Sequence, residues 1–246
     1  MGLLVLAATG VGLVLLTAAT ARRPTGPLPS LDGYFARWQV QHRAPDVDPR
    51  QLLFVRQVLT VAYRLARPLA RVGCRPDALT LWGMWLAGAA LVAADGGGRW
   101  VIVAAALVLV SAMTDAVDGA VAALTDRATG YGFVLDSVVD RLSDVAFALA
   151  LLTAGGEPEA AAAATVALFV LEYTRARAGS AGLGEVGTIT VGERPTRVAV
   201  TVLSLLAAGV HPASNRFFAG AGLWATTGVC VVGLVQLAVD LRRRLH

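Results

Sequence analysis

The chain has no lysine, so every one of its 21 basic residues is an arginine. Cysteine is nearly absent too: Cys74 lies in a polar stretch and Cys230 inside an apolar run, a placement that argues against a structural disulfide. Charged residues make up 15% of the chain, well below the share of a soluble domain. No period-two pattern of strand type competes anywhere with long apolar runs. What fills the chain instead is apolar: 56% of residues are hydrophobic and the mean hydropathy is +0.64. These values exclude an ordinary soluble domain and indicate an integral membrane protein.

Apolar runs cover approximately Gly2–Ala19, Ala78–Ala94, Trp100–Ala123, Tyr131–Thr153, Ala160–Thr174, Arg197–Val210 and Phe217–Leu241. At about 1.5 Å of rise per residue, runs approaching twenty residues cross a hydrocarbon core of roughly 30 Å. Helices are required, because backbone groups within lipid must be satisfied inside helices or closed barrels. The expected fold is an all-α integral membrane protein with an N-terminal transmembrane helix (1–21), a cytoplasmic juxtamembrane region (22–75) and a six-helix transmembrane core with a basic tail (76–246). The first run has a second reading as a cleaved signal peptide, since Ala19-Thr20-Ala21 resembles a cleavage site. Against that stand the missing basic leader and the flank Arg22-Arg23.

Arginine placement sets an orientation. With the start of the Ala78 helix in the cytoplasm, only Arg99 and Arg216 fall on the far side, which puts the N-terminus outside and the tail Arg242-Arg243-Arg244 inside. Within 49–71, Arg56, Arg64, Arg67 and Arg71 project into an arc of roughly 80°, while Leu52, Val55, Leu59 and Tyr63 take other faces. Two readings fit: an amphipathic helix on an anionic leaflet, or a packing helix with a solvated arginine face.

Against this apolar background stand Asp115, Asp118, Asp136 and Asp140. One ionised carboxylate at the centre of a spanning helix costs about 2.5–3.5 kcal/mol, so four need a neutralising partner. Asp115 and Asp118 are three apart and Asp136 and Asp140 four apart, so each pair forms a stripe on one helix face. The short TDRATG link (125–130) makes the two helices antiparallel neighbours. Arg141 points about 100° away from Asp140. Four converging carboxylates match two divalent cations, and oxygen ligands suit Mg²⁺ or Mn²⁺, the usual clamp for displacement at phosphorus. Gly119, Ala122 and Gly132 leave room beside the aspartates; taken singly, each is equally a close-packing position.

Asp115, Asp118, Gly119, Ala122, Gly132, Asp136 and Asp140 together resemble the signature of the CDP-alcohol phosphatidyltransferases, D-x-x-D-G-x-x-A-R, eight residues, then G-x-x-x-D-x-x-x-D. The arginine of that pattern is replaced by Ala123. The stretch VGCRPDALTLWG (72–83) resembles the family's entry to its first helix, and EYTRARAGSAGLG (172–184) and GERPTR (192–197) resemble the actinobacterial phosphatidylinositol phosphate synthases in particular. The resemblance implies transfer of a phosphatidyl group from CDP-diacylglycerol to the hydroxyl of a polar acceptor, with release of CMP in phospholipid biosynthesis. It implies metal-holding roles for Asp115, Asp118, Asp136 and Asp140, with Asp140 also the general base. Asp77, Thr80, Gly119, Ala122 and Gly132 would line the CDP-lipid, and a homodimer would be the assembly. Arg127 stands one turn beyond Ala123 if the helix continues, and is the candidate to replace the missing arginine. Arg175, Arg177, Arg194 and Arg197 suit an acceptor that itself carries phosphate, inositol phosphate ahead of glycerol phosphate; their other reading is positive-inside flanking. Nucleic acid is not among the expected partners. The competing classes are an inactive relative that binds lipid nucleotide and a divalent-cation carrier. The carrier lacks a polar path through the outer halves of the helices.

Overall fold

A computed structural model describes residues 2–41, 48–183 and 189–245, so that Gly184, the end of one of the family-like stretches, lies outside them. Nine α-helices are described and no strand. Each apolar run of the sequence lies inside one of them: α1 (Gly2–Thr20), α4 (Pro76–Asp95), α5 (Trp100–Thr125), α6 (Gly130–Thr153), α7 (Pro158–Ala178), α8 (Arg194–Val210) and α9 (Asn215–Leu245). The remaining two, α2 (Leu31–Gln41) and α3 (Leu53–Val72), fall in the polar juxtamembrane stretch. By length and composition α1, α4, α5 and the segment Pro212–Arg244 are apolar enough to cross a membrane. α6 and α7 carry several charged residues and α8 has 17 residues, which takes these three below that standard. The chain is a multi-pass membrane protein.

The backbone divides into two compact units, Met1–Trp85 with Val110–Asp140, and Leu86–Leu109 with Arg141–His246. In the first unit α1 is held to α4 by two indole donors: Trp82 Nε1 donates to Thr17 Oγ1 at 3.1 Å and Trp85 Nε1 to the Leu6 carbonyl at 3.1 Å. Most of the remaining α1 surface is exposed apolar side chain, as a helix facing lipid requires.

α2 and α3 are not a separate domain. Tyr34 and Phe35 of α2, Leu59, Ala62, Tyr63, Ala66 and Ala70 of α3, and Val117, Ala120, Val121, Ala123 and Leu124 of α5 form one buried cluster. Burial pushes the Tyr34 phenol up to about 12, so it stays neutral. α3 ends at Gly73, whose φ of +85° is a left-handed conformation natural to glycine. A Cβ there would lie 2.4 Å from the Arg22 carbonyl carbon, and the Arg22 N–H donates to the Gly73 carbonyl at 2.9 Å. The link after α1 is thus seated on the end of α3.

α3 combines both readings of its pattern. Val55, Leu59, Tyr63 and Ala66 face the cluster, whereas Arg56, Arg64 and Arg71 are exposed and Arg67 lies over the Tyr63 ring at 5.6 Å. A third face, Val58, Val61, Leu65 and Val72, is apolar and exposed. An exposed apolar stripe bordered by arginines suits a bilayer interface, with aliphatic groups among acyl chains and guanidiniums at headgroup level.

The second unit packs α7, α8 and α9 together, and its core is mainly alanine, leucine and valine, including Leu151, Leu168, Leu171, Leu205, Leu223 and Leu237. Small residues allow the close approach. A Cβ on Gly209 of α8 would meet Ile102 of α5 at 2.6 Å.

Candidate functional site: a carboxylate triad

α5 carries Asp115 and Asp118 and α6 carries Asp136, and one oxygen from each lies within 4.8 Å of the others. Asp115 and Asp136 are half-buried, while Asp118 is 5% exposed. The Thr80 hydroxyl of α4 donates to Asp118 Oδ2 at 2.5 Å. That bond fixes one aspartate rotamer from a neighbouring helix. Asp77, one turn before Thr80 on α4, accepts from Arg75 Nη2 at 2.9 Å. Its other oxygen would be 3.3 Å from a Cβ on Gly132, so the absence of a side chain lets the starts of α4 and α6 approach. Beside the triad, a Cβ on Gly119 would meet nothing within 4 Å, which leaves open space next to Asp118.

These residues fit a divalent cation. Carboxylates this close repel one another unless a cation lies among them, and an all-oxygen set suits Mg²⁺ or Mn²⁺. Three aspartates gather and not the expected four. Asp140 stands one turn further along α6, half-buried, outside the group of oxygens that converge.

Arg127, Ala122 and Ala123 lie apart from the triad. α5 stops at Thr125, and Asp126 has φ of +56°, so Arg127 is not on a continuing helical face one turn beyond position 123. Its N–H closes the helix on the Ala122 carbonyl at 3.0 Å, and its Nη2 donates to the Arg22 carbonyl at 2.8 Å. Ala122 is buried, which leaves its methyl little surface to offer a ligand. Ala123, where an arginine would complete the signature, is 6% exposed within the cluster made by α2, α3 and α5. Ala123→Arg therefore overpacks an apolar core, and we expect a loss of about 1–3 kcal/mol, read as a lower unfolding temperature in detergent. Higher activity at undiminished stability would contradict this.

A second charged group occupies the other unit. Arg197 is 2% exposed; its Nη1 donates to Glu172 Oε1 at 2.9 Å and to the Gly192 carbonyl, and its Nη2 to Asp144 Oδ2 at 3.2 Å. Arg141 reaches Glu172 Oε1 at 3.0 Å and Asp144 Oδ2 at 3.4 Å. Arg175 Nη2 lies 2.6 Å from Glu193 Oε1, and Arg194 Nε 3.8 Å from Asp144 Oδ1. Among the described residues four guanidiniums thus meet three carboxylates. Arg197 is a buried strut of this network and not a group open to a soluble acceptor; Arg175 and Arg194 are its partly covered members, and Arg177 is exposed on α7. Arg141 was weighed only against Asp140, and Asp144, Glu172 and Glu193 were not singled out in the sequence, although Arg141/Asp144 and Glu172/Arg175 show the three-residue spacing of helical ion pairs.

The sequence model of the CDP-alcohol phosphatidyltransferase family matches residues 74–235. An archaetidylinositol phosphate synthase of Aeropyrum pernix is 32% identical over 188 residues, covering 74% of this chain and 93% of that protein. The crystal structure of Mycobacterium tuberculosis phosphatidylinositol phosphate synthase with CDP-DAG bound superposes with a TM-score of 0.58 at 28% identity, covering 74% of this chain and 94% of that one. The same enzyme in complex with manganese and citrate also gives 0.58 at 28% identity, covering 73% and 88%. The matched segment takes in α4 to most of α9 and the whole carboxylate triad, and on that basis the chain belongs to the CDP-alcohol phosphatidyltransferase family.

Proposed function

We propose that the chain transfers the phosphatidyl group of CDP-diacylglycerol, or a closely related CDP-linked lipid, to a hydroxyl of inositol phosphate. The observation that carries this reading is the triad Asp115, Asp118 and Asp136 with open space at Gly119. The names of the relatives, archaetidylinositol phosphate synthase and phosphatidylinositol phosphate synthase, support the acceptor. In the reaction the acceptor oxygen forms a bond to the lipid-side phosphorus, the bond from that phosphorus to the bridging oxygen breaks, and CMP leaves with that oxygen. Asp115, Asp118 and Asp136 would hold Mg²⁺ or Mn²⁺, which when bound supplies positive charge to the diphosphate. Thr80 keeps Asp118 turned to its place. Asp140 takes the hydroxyl proton, a role that suits a carboxylate outside the converging three. Arg175, Arg177 and Arg194 offer planar donors to the acceptor's phosphate, a geometry that favours a phosphorylated alcohol over a neutral one. The test is CMP release by purified protein with Mn²⁺, CDP-diacylglycerol and a panel of alcohols. Inositol phosphate is expected to lead, and release with free inositol alone would overturn the acceptor.

Arginine placement supports an N-terminus outside and the carboxylate ends of α5 and α6 on the cytoplasmic side. Cysteines introduced at Gly96 and Ser214 are then labelled by an impermeant reagent in intact cells, and one at Gly182 is not. The native thiols do not interfere: both are buried, and burial pushes the Cys74 thiol up, away from the reactive thiolate. Labelling at Gly182 would reverse the orientation.

A further inference from the structure

We infer that Arg37 binds the diphosphate of the CDP-linked donor; the inference rests on the functional reading above. Arg37 lies on α2, outside the segment that matches the family. Its Nη1 donates to the Ala123 carbonyl at 2.8 Å and to the Leu124 carbonyl at 3.4 Å. The guanidinium therefore sits at the end of α5, on the backbone of the residue whose side chain departs from the family pattern. α2 is seated there by Tyr34 and Phe35, which share a buried cluster with Val121, Ala123 and Leu124.

The charge at that place calls for a cation. A helix C-terminus carries about half a negative charge, and Asp118 stands only five residues, roughly 7.5 Å of helical rise, before Ala123. An anionic donor approaching this end of α5 is repelled unless a positive group faces it. Arg75 is paired with the Asp77 carboxylate, and Arg50 with Asp32 and Asp48. Arg37, in contrast, bonds neutral carbonyls, so its charge is not cancelled. Its side chain is exposed, and among the described residues its Nη2 and Nε make no hydrogen bond. A guanidinium fixed by one corner, with donors left over in a planar fork, suits two phosphates of a diphosphate. Arg127, with its guanidinium on the Arg22 carbonyl, stands at the same turn and adds to the positive field.

The rival account is that Arg37 only caps α5. Two variants of the full chain separate the accounts: Arg37→Gln retains a donor for the Ala123 carbonyl but removes the charge, and Arg37→Lys keeps the charge. Donor KM is measured for CDP-diacylglycerol with saturating inositol phosphate, and soluble CDP with Mn²⁺ is used as the probe in thermal unfolding. Arg37→Gln is expected to raise donor KM about tenfold or more, leave acceptor KM unchanged and lose most of the stabilisation by CDP; Arg37→Lys is expected to retain most of both. Unchanged donor KM in Arg37→Gln, with or without a lower ligand-free unfolding temperature, reduces Arg37 to a cap and overturns this inference alone. A wild type that neither releases CMP nor is stabilised by CDP overturns the functional reading, and this inference with it.

Discussion

Asp136→Asn lowers CMP release by more than about 100-fold, beyond the range for losing an outer support of a metal ligand, and removes the stabilisation of the protein by Mn²⁺ against heat. The two losses come together because Asp136 is the member of the triad contributed by α6, and Asn offers only a neutral amide oxygen where the two carboxylates of α5 had a third charge beside them. Asn keeps the shape of the side chain, so the ligand-free unfolding temperature stays near that of wild type. Asp140→Asn separates base from ligand: turnover falls as far, yet stabilisation by Mn²⁺ persists, because Asp140 is outside the converging oxygens. Full CMP release by Asp136→Asn would remove the triad from the reaction. Loss of Mn²⁺ stabilisation in Asp140→Asn would instead return Asp140 to the ligand set.

The spacing of the aspartates was enough to find this site, because three- and four-residue intervals on a helix put side chains on one face whatever surrounds them. Four apolar segments, α1, α4, α5 and the one ending in α9, were legible for a similar reason: in lipid, length and composition alone decide whether a segment can span. α6 and α7 were harder, since charged residues dilute their hydropathy. What the sequence did not show is the service of α2 and α3. The bond from Arg37 to Ala123 joins residues 86 apart, and no local pattern announces a contact between an amphipathic segment and one helix end. Arg127 was misplaced because its reach was argued on a helix that stops at Thr125. A left-handed aspartate ends it, and aspartate is among the few side chains that adopt that conformation readily. Arg175, Arg177, Arg194 and Arg197 were read as one cluster facing an acceptor's phosphate, whereas folding sets Asp144, Glu172 and Glu193 beside Arg175, Arg194 and Arg197.

That difference has a measurable consequence at Arg197. Arg197→Met is expected to destabilise the protein by about 3–5 kcal/mol, the cost of removing one partner of a buried ion pair. The side chain is 3% exposed and its partner Asp144 2%, so water cannot replace the lost hydrogen bonds. The Gly192 carbonyl also loses its donor, which loosens the turn leading into α8. Arg141 and Arg194 remain near Asp144 but do not fill the vacated position, so the hydrogen bond that Arg197 gives Asp144 is not replaced. The companion variant Arg197→Met/Asp144→Leu removes both charges and is expected to recover part of the loss, because well-packed apolar side chains often serve as well as a buried pair. Arg177→Ala provides the contrast: an exposed side chain is removed, the unfolding temperature stays near wild type, and the effect appears in acceptor KM. If Arg197→Met unfolds at the wild-type temperature while raising acceptor KM, then Arg197 is not a strut, and the network opens to the acceptor more widely than its burial indicates.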